Sequence, residues 1–427
     1  MKTKSPNFVG KHILMIVENL AVPFDSRVWQ EATALRQSGA EVSIICPTMK
    51  GYTKRYECLE GIEIYRHSLA TEGDGALGYL FEYGSALFWW FYLSLRIYFR
   101  KPFQVIHGCN PPDLIFIVAL PFKLFGVKYV FDHHDANPEL FIAKFGRKGF
   151  FYHLMVWLER ATFSVADYSI ATNQSYREIA LKRGGMRPEK VAVVRSGPNL
   201  DRMKIRPANK VHKKGRAYLV GYLGTIGEQE GIDLLLDAAK QITAVRQDVQ
   251  FAIIGAGTSL EAMKALSVQM NLQNYVTFYG RLPDDQMLDI LNTADVCVNP
   301  DRPTEMNDIS TMNKIMEYMA LKKPIVQFDL KEGRFSAQDA SLYADHTKPD
   351  DFAQKILELI NSKPLRVQMG EYGYHQVVNQ LSWTYERKKL LTLYHNVLAF
   401  NQRQSMLVSV LKLFSPPSRA GKAVSKM

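Results

Sequence analysis

The chain has 427 residues, of which 47% are hydrophobic and 22% are charged, and its formal net charge at pH 7 is +11. This length is enough for two domains with ordinary cores, and the composition excludes a disordered or fibrous protein. The positive charge predicts an anionic partner, whether a phosphorylated substrate, a phospholipid surface or nucleic acid. Because the basic residues are dispersed and no recognition motif emerges, we expect no nucleic-acid binding.

Cysteine spacing and the first residues indicate a protein that stays inside the cell. The cysteines, Cys46, Cys58, Cys109 and Cys297, are widely spaced and form no CxxC pair. This predicts reduced thiols rather than disulfides or a zinc site, with Cys46 and Cys297 as core residues of strand-like runs. Residues 1–6 contain no apolar segment before the first strand, so we expect no secretory signal.

Apolar runs of strand length alternate with helix-length segments through the first half of the chain. This alternation is typical of a parallel sheet with helical crossovers, so the sequence predicts an α/β domain here. The predicted strands are residues 13–17, 41–46, 105–108, 128–132, 168–172 and 191–194.

Residues 77–103 are unusually aromatic and end in a basic cluster. Their uninterrupted apolar length falls short of the roughly 20 residues that span a bilayer. Trp and Tyr favour the membrane interface, however, where basic side chains contact lipid phosphates, so we interpret this segment as a membrane-surface helix. A buried crossover helix is the alternative. The side chains concerned are Tyr79, Phe81, Tyr83, Phe88, Trp89, Trp90, Phe91, Tyr92, Tyr98, Phe99, Arg96, Arg100 and Lys101, with a second patch at Lys144, Arg147, Lys148, Phe150, Phe151 and Tyr152.

The predicted strand 128–132 is followed by His133, His134 and Asp135, at the position where an α/β domain presents its ligand loops. Histidine and carboxylate groups can orient an acceptor hydroxyl or steady a departing phosphate. A capped loop with a metal-free histidine pair is the alternative. We expect no metal, because no third ligand has helical spacing and no DxD motif lies between apolar strands.

A polar, basic segment at residues 201–216 interrupts the alternation of strand-length and helix-length segments, and we place the domain boundary there. The alternation then restarts, which predicts a second α/β domain that faces the first across a cleft. The predicted strands of this half are residues 218–223, 250–254, 276–279, 296–299 and 324–328.

Two glycine turns follow strands of the second half. Gly224 and Gly227 lie between the strand 218–223 and a helix predicted to begin near Gly231, and Gly255 and Gly257 repeat this arrangement one unit later. Glycines at such turns let the backbone approach a diphosphate closely, although a tight strand-to-helix turn alone also requires them. No GxxxxGK[ST] motif occurs, which argues against a P-loop nucleotidase.

A short helix in front of the strand 324–328 combines an anion site with a carboxylate. Ser310 is the predicted N-cap, so that the first backbone N–H groups face a ligand. Lys314 and Glu317 follow at spacings of four and seven, on roughly the same helical face. This combination suits a phosphate next to a hydroxylated group, as in a nucleotide sugar. A solvated Lys–Glu pair is the alternative.

Near the C-terminus an apolar stripe with helical spacing precedes a basic tail. The stripe predicts either a helix packed on the core or a membrane-surface helix, and we favour surface attachment. The residues are Leu407, Val410, Leu411 and Phe414 in the stripe and Arg419, Lys422 and Lys426 in the tail.

These motifs resemble those of retaining glycosyltransferases of family 4, which have the two-domain GT-B fold. The matching segments of the second half are residues 224–236, 253–257, 295–300 and 314–326. Residues 25–32 with Gly39, 110–113 and 131–135 are similar to one bacterial polysaccharide-assembly branch of that family.

The resemblance implies an α/β GT-B fold of two Rossmann-like domains with parallel sheets facing across a cleft. We expect residues 1–208 to bind the acceptor and carry the membrane-surface helix, and residues 209–380 to bind the nucleotide sugar. Residues 381–427 are expected to form a helix that returns towards the N-terminal domain, followed by the basic tail. Retaining chemistry in this family is ascribed to front-face attack assisted by the leaving diphosphate, so little is required of a protein base.

The expected site residues fall into three sets. The expected catalytic residues are Glu317, Lys314, His134 and Asp135. The expected donor-binding residues are Gly224, Thr225, Gly227, Gly255, Gly257, Arg281, Ser310, Thr311, Asn313, Lys314 and Glu317. The expected acceptor-binding residues are Asp25, Arg27, Asn110, His133 and His134.

The chain departs from the family pattern at the donor site. Typical members carry a basic residue and a Lys where Thr225 and Glu230 stand here, and the first of their paired glutamates corresponds to Ile309. Loss of activity is one interpretation. We favour a substitution in which Lys314 supplies the charge for the diphosphate, with Arg281 and Arg195 as further candidate cations.

The sequence thus predicts a glycosyltransferase that moves a sugar from a nucleoside-diphosphate sugar to a growing, lipid-diphosphate-linked glycan. We expect no cofactor, an anionic membrane surface as a partner, possible assembly-complex proteins, and a peripheral location at the cytoplasmic face of the inner membrane. A catalytically silent GT-B partner and a nucleotide-sugar epimerase are the alternatives.

Overall fold

The computed structural model describes residues 6–49, 51–68 and 76–399, without the side chains of residues 76–83 and 144. Within these residues the chain forms two sheets, one built from residues 12–193 and the other from residues 218–344. All strand pairs are parallel except one at the edge of the first sheet. The predicted α/β class is therefore confirmed. The predicted stripe at 407–414 and the basic tail lie outside the described residues.

The first sheet has eight strands in the order β3-β4-β2-β1-β5-β6-β7-β8. We did not predict β3 and β4. Strand β3 alternates exposed with partly exposed positions, and β4 carries charged residues such as Arg66, so both lack the continuous apolar run of a central parallel strand. The strands are β1 (His12–Val17), β2 (Glu41–Pro47), β3 (Tyr56–Leu59), β4 (Ile62–His67), β5 (Val105–Cys109), β6 (Lys128–His133), β7 (Tyr168–Ala171) and β8 (Val191–Val193).

Helices cover both faces of this sheet. On one face α1 packs over Ile13, Met15 and Ile44, and on the other α2, α3 and α5 pack over Leu14 and Ile16. The helices are α1 (Ser26–Gln37), α2 (Ala76–Arg100), α3 (Ile115–Lys123), α4 (Asn137–Phe145), α5 (Phe150–Val165) and α6 (Gln174–Lys182).

The second sheet has six parallel strands in the order β11-β10-β9-β12-β13-β14. The order reverses at β9 and β12, which is where ligands bind in open α/β sheets. The strands are β9 (Tyr218–Leu223), β10 (Val249–Ile254), β11 (Val276–Gly280), β12 (Val296–Asn299), β13 (Ile325–Phe328) and β14 (Ser341–Ala344), the last not predicted. The helices are α7 (Ile232–Val245), α8 (Leu260–Gln269), α9 (Asp284–Thr293), α10 (Glu305–Ile309), α11 (Asn313–Ala320), α12 (Lys331–Ala337), α13 (Asp351–Asn361) and α14 (Lys363–Gln376).

The last described helix, α15 (Trp383–Ala399), belongs to the core of the first sheet. Its Leu390 and Tyr394 are fully buried there. The Tyr394 hydroxyl lies 2.7 Å from Nδ1 of His107 on β5. Residues distant in sequence therefore complete the N-terminal core.

The aromatic segment forms one helix, α2, which is buried on one side and exposed on the other. Trp90 and Ile97 pack in the core, whereas Phe88 and Phe99 are exposed. The crossover-helix interpretation is confirmed for the buried side of α2, and attachment of its exposed aromatic side to a membrane stays a prediction. In the part of the chain that the structure describes, no helix has both the length and the apolar character needed to cross a bilayer.

Candidate functional site

Helix α11 lies beside the turn that follows β9. The Tyr318 hydroxyl on α11 accepts a hydrogen bond of 2.7 Å from the backbone N–H of Leu223, the last residue of β9. Lys314 and Glu317, three residues apart on the same helix, therefore both lie near the carboxyl end of the central strand. A Cβ at Gly224 would lie 3.2 Å from Cε of Lys314, so this lysine is next to the first glycine turn.

Lys314 is a buried cation with a carboxylate partner. Its Nζ lies 2.8 Å from Oδ1 of Asp301 and donates to the Tyr222 hydroxyl at 3.4 Å. Burial alone would lower the pKa of Lys314, but the Asp301 carboxylate reverses this and raises it. Lys314 is therefore permanently charged, and a phosphate must share it with Asp301.

Glu317 is held by an arginine of the interdomain segment. Arg202 donates to the Glu317 carboxylate at 3.1 Å, and its other guanidinium nitrogens bind both oxygens of Asp284 at 2.6 and 2.7 Å. Burial raises the pKa of Glu317, and the charge of Arg202 opposes this shift. Neither Arg202 nor Asp284 was predicted.

The glycine turns pack directly against each other. A Cβ at Gly255 would lie 1.7 Å from the carbonyl oxygen of Gly224, and one at Gly257 would lie 2.4 Å from that of Ile226. These two glycines are thus required by the approach of two backbone segments, whatever the turns bind. The N–H of Gly227 donates to the carboxylate of Glu230 at 3.1 Å.

The predicted N-cap at Ser310 is wrong. The Ser310 hydroxyl donates to the Met306 carbonyl at 2.7 Å and closes the short helix α10, while α11 begins at Asn313 after Met312. Two short helices replace the single helix we predicted. Ser310 therefore does not supply free N–H groups at the start of α11, and Asn313 is exposed.

Thr311 joins the two domains. Its hydroxyl accepts hydrogen bonds from Asn173, at 2.9 Å, and from Arg195, at 3.3 Å. Arg195 also forms a buried ion pair with Glu332 at 3.1 Å, and Glu332 accepts from the Ser175 hydroxyl at 2.8 Å. The candidate cation Arg195 is therefore not a surface charge but part of an interdomain contact.

A second contact crosses the cleft at the other expected cation. The guanidinium of Arg281, after β11, lies 4.0 Å from the ring centroid of Phe24, which follows β1. Such stacking leaves the N–H edges of the guanidinium available for an anion. Thr225, in the neighbouring turn, is exposed, and its carbonyl accepts from the Tyr222 hydroxyl at 2.6 Å.

On the N-terminal side of the cleft, Asp132 at the end of β6 is the centre of a buried ionic network. Arg27 binds both of its oxygens, at 2.8 and 3.2 Å, and His107 lies 3.3 Å from Oδ2. Burial alone would raise the pKa of Asp132, but the charge of Arg27 lowers it well below the usual value. Glu31 pairs with Arg27 at 3.1 Å, and burial raises its pKa. The network therefore holds one firmly ionised carboxylate.

His134 is bound to this carboxylate and, unlike Asp132, is partly exposed. Its Nε2 lies 2.5 Å from Oδ2 of Asp132 and 3.0 Å from Nε of Arg27. Arg27 is a donor and one ring nitrogen cannot serve both partners, so we assign Nε2–H as donor to the nearer Asp132. Nδ1 is then the nitrogen that can accept a proton or a hydrogen bond from a ligand.

Two expected acceptor-binding residues are buried inside the domain. His133 is fully buried among Phe131, Phe163 and Tyr176, and burial lowers its pKa to about 3. Arg27 is engaged by Asp132 and its neighbours as described above. Neither side chain is placed to contact an acceptor. His133 belongs to a buried strand, where alternate side chains point into the core, and the buried guanidinium of Arg27 needs its carboxylate partners.

Two others support the backbone of the site. Asp25 caps α1 by accepting from the Val28 N–H at 3.1 Å. Asn110 is buried and accepts from the N–H groups of His134 and Asp135 at 2.6 and 3.2 Å, so it fixes the loop after β6. Asp135 is partly exposed, and burial of its carboxyl group raises the pKa. Of the expected N-terminal residues, His134 and Asp135 thus remain the candidates for direct contact.

The ligand atoms of His107, Cys109 and Asp132 lie within 4.8 Å of one another and are buried. Arg27 already places a positive charge on Asp132, and burial raises the pKa of the Cys109 thiol well above its usual value. A protonated thiol and a carboxylate bound to arginine are poor ligands for a metal ion. The donor set therefore fits an ion-pair network better than a metal centre.

Five residues of the site escaped the sequence analysis: Asp301, Arg202, Asp284, Asp132 and Glu332. Asp301 carried a usable signal, since an Asp directly after β12 and Pro300 lies at the carboxyl end of a central strand. The other four are recognisable only from partners that are far away in sequence: Arg202 and Asp284 bind each other, Asp132 binds Arg27 and Glu332 binds Arg195.

Comparisons with known proteins agree with this architecture. Residues 26–202 match the family model described as Glycosyltransferase Family 4, and residues 217–362 match the model described as Glycosyl transferases group 1. Together the two matches cover most of the chain, and the junction between them falls in the segment 201–216.

Curated relatives are distant. An uncharacterized glycosyltransferase of Methanocaldococcus jannaschii is 29% identical over 164 residues, which are 38% of this chain and 43% of the relative. A capsular polysaccharide biosynthesis glycosyltransferase, CapM, of Staphylococcus aureus is 23% identical over 324 residues, which are 72% of this chain and 80% of the relative. The chain thus spans less than half the length of the first relative but most of the second.

Solved structures share the fold over nearly the whole chain. Sucrose-phosphate synthase from Thermosynechococcus elongatus has a TM-score of 0.75 at 17% identity and covers 91% of this chain and 99% of its own. Anabaena HepE, solved with UDP and glucose, has a TM-score of 0.70 at 14% identity and covers 90% of this chain and 100% of its own. The GT-B fold predicted from the sequence is therefore confirmed, and the two family matches support a family-4-like glycosyltransferase.

Proposed function

We propose that this protein transfers a sugar from a nucleoside-diphosphate sugar to a growing glycan in polysaccharide biosynthesis. The observation that carries the proposal is the position of Lys314 and Glu317 on one face of α11, beside the turn that follows β9. A buried ammonium suits a diphosphate, and a carboxylate one turn away suits hydroxyl groups of the donor. The UDP and glucose bound in Anabaena HepE support this donor class.

The proposed chemistry retains the anomeric configuration. The acceptor oxygen attacks the anomeric carbon on the face from which the diphosphate leaves, and the acceptor proton passes to the departing phosphate oxygen. Lys314 stabilises the charge that develops on the diphosphate, and Arg281 adds a second cation from across the cleft. Glu317 holds the donor in the reactive pose, while His134, oriented by Asp132, positions the acceptor hydroxyl.

We propose further that the acceptor is a glycan linked to a lipid diphosphate and that transfer takes place at the cytoplasmic face of the membrane. The half-exposed aromatic helix α2 supports this location. The names of two relatives support polysaccharide biosynthesis as the setting: CapM is described as a capsular polysaccharide biosynthesis glycosyltransferase, and a Salmonella typhimurium relative as a putative colanic acid biosynthesis glycosyltransferase. Proteins of the assembly complex are further candidate partners.

One observation favours a second candidate, a catalytically silent partner in polysaccharide assembly. Lys314 is neutralised by Asp301, and Glu230 places another carboxylate at the amide of Gly227. A diphosphate must overcome both negative groups to bind. Nothing comparable favours the epimerase alternative.

The discriminating experiment incubates purified full-length protein and membranes with a panel of labelled nucleotide sugars. The proposal expects one sugar to enter lipid-extractable material, and Glu317→Gln to reduce this at least about 100-fold without unfolding the protein. Titration with UDP and GDP by calorimetry then separates the two candidates. A folded protein that binds neither nucleotide and transfers no sugar would establish the silent partner instead.

A further inference from the structure

Helices α2, α3 and α5 form one layer over the sheet, and their outer side is unusually aromatic. They share one core cluster with the inner residues of the sheet, and Phe91 of α2 contacts Phe122 of α3 at a ring distance of 6.5 Å. The exposed apolar residues of this layer and of the adjoining end of α4, here called the aromatic face, are Phe88, Phe91, Tyr92, Phe99, Ile117, Leu124, Phe125, Phe145, Phe150, Phe151, Leu154 and Trp157.

This concentration is not a general property of the surface. Among the described residues, every exposed phenylalanine except Phe335 belongs to the aromatic face. Phe99 is 83% exposed, Phe150 is 76% exposed and Trp157 is 55% exposed. More than half of each of these side chains is therefore accessible to solvent. Exposed apolar side chains concentrated on neighbouring helices in this way indicate an interaction site.

The exposed charged side chains described on the helices of the aromatic face are basic. Arg96, Arg147, Lys148 and Arg160 are exposed on its helices and the loop before α5. Residues 84–125 and 136–165 contain three acidic residues, and all three are buried: Asp113, Glu139 and Glu159. The two glutamates are paired with Arg183. Among the side chains that the structure describes on these helices, the exposed charges are therefore all cations, and the carboxylates of Glu63 and Glu41 pair with Arg100 and Lys101 at the end of α2.

This charge pattern decides between possible occupants. A second copy bound through the same face would bring the four cations of one molecule against those of the other, which disfavours an isologous dimer. An anionic lipid surface meets both requirements, because phosphates neutralise Arg and Lys while Phe and Trp enter the interface.

One edge of the aromatic face adjoins the cleft. Helix α4 begins at Asn137, two residues after Asp135, and its first side chain donates to Asp113 at 2.7 Å. It ends at the exposed Phe145. Nine residues at 1.5 Å per residue span about 13 Å. A lipid headgroup in contact with Phe145 would thus lie about 13 Å, the length of α4, from the loop that carries His134.

We propose that the aromatic face is a docking surface for an anionic phospholipid bilayer, and that a lipid-linked acceptor reaches the cleft along α4. The second part rests on the proposed function, whereas the docking itself does not. Exposed aromatic side chains on several helices hold the domain in one orientation, with the α4 edge of the cleft towards the lipid.

The test is flotation of the full-length protein with phosphatidylcholine vesicles that contain or lack phosphatidylglycerol. We expect binding only with phosphatidylglycerol. The triple variant Phe150→Ser, Phe151→Ser and Trp157→Ser should bind at least about tenfold less. The pair Arg147→Glu and Lys148→Glu, which leaves all apolar contacts in place, should lose about tenfold or more, since each cation near an anionic leaflet contributes on the order of 1 kcal/mol.

A matched control removes exposed apolar residues elsewhere. Val245→Ser with Val268→Ser, on helices of the second domain, should float like the unaltered protein. The proposal is overturned if the triple aromatic variant and the Arg147→Glu, Lys148→Glu variant both still float, or if binding does not depend on phosphatidylglycerol. It is also overturned if removal of residues 400–427 alone abolishes binding. A dimer that the triple variant dissociates, without vesicle binding, also overturns it. Since flotation requires no turnover, a protein that floats but transfers no sugar counts only against the proposed function.

Discussion

Arg202 and Glu317 form an ion pair of 3.1 Å that ties the interdomain segment to the candidate donor site. Arg202 is anchored by Asp284 at the same time, so its guanidinium is fixed while one of its nitrogens contacts Glu317. The pair acts on the protonation of Glu317, because burial raises the pKa of that carboxyl and Arg202 lowers it.

We expect Arg202→Ala to make sugar transfer depend on pH. Without the cation the pKa of Glu317 rises further, so the carboxyl takes up a proton at a higher pH than in the unaltered protein, and transfer falls at a higher pH when the pH is lowered. Arg202→Lys should restore most of the neutral-pH rate. Profiles of kcat/KM against pH for the three proteins check this, and parallel profiles for Arg202→Ala and the unaltered enzyme would contradict it.

We expect Lys314→Met to weaken both folding and nucleotide binding. It leaves the carboxylate of Asp301, which is 1% exposed, without its cation, at a cost of roughly 3 kcal/mol in the free energy of unfolding. The double variant Lys314→Met with Asp301→Asn should recover the stability but not the affinity for a nucleoside diphosphate. Denaturant unfolding and calorimetry measure the two effects separately. Unaltered affinity in the folded double variant would remove Lys314 from the donor site.

We expect His134→Ala to reduce kcat/KM for the acceptor by about 10- to 100-fold and to leave nucleoside-diphosphate affinity unchanged. The Asp132 carboxylate keeps Arg27 and His107 as partners in this variant, so the fold should persist. His153→Ala, on the exposed surface of α5, is the matched control. An equal loss in donor affinity would mean that His134 only supports the cleft as a whole.

Asp113 predicts a pH dependence of stability. Burial raises the pKa of its carboxyl group to about 6, above its usual value of 3.8. The folded state therefore binds a proton more tightly than the unfolded chain between about pH 4 and about pH 6, and stability from this group falls as the pH rises through that window.

Comparison with Asp113→Asn isolates this contribution, because asparagine does not titrate. Relative to the variant, the unaltered protein should lose up to about 3 kcal/mol of unfolding free energy from about pH 4 to about pH 7. Urea unfolding at several pH values measures the difference. A difference that is constant with pH would show that Asp113 is ionised throughout.

The central strands were predictable to within about one residue because both faces of a parallel sheet are buried. Continuous apolar runs such as Tyr218–Leu223 and Val296–Asn299 result, and their observed bounds equal the predicted ones. Strand β4 escaped because its buried Arg66 is neutralised by Glu57 of β3, a pairing that no local pattern reveals. In α2, Phe88 is exposed and Trp90 is buried. Which of the aromatic side chains faces the core depends on how the helix packs on the sheet, and the sequence of the helix alone does not determine this.

The site was predictable only where one element carries it. Lys314 and Glu317 share a helix, so their spacing placed them on one face. Their partners come from separate segments, with Asp301 13 residues and Arg202 115 residues away from the side chain each one binds. On the N-terminal side, motif position alone did not separate the buried His133 from the accessible His134, because strand geometry makes that distinction.

The packing of α15 against the first sheet has a consequence for biosynthesis. A ribosome releases residues 12–193 long before residues 383–399, so the nascent first domain emerges with an uncovered apolar groove where Leu390 and Tyr394 will lie. Its native core closes only after the second domain has been translated. Maturation of this protein should therefore depend on chaperones that hold the early domain, and truncation before Trp383 should yield aggregation rather than a shortened soluble product.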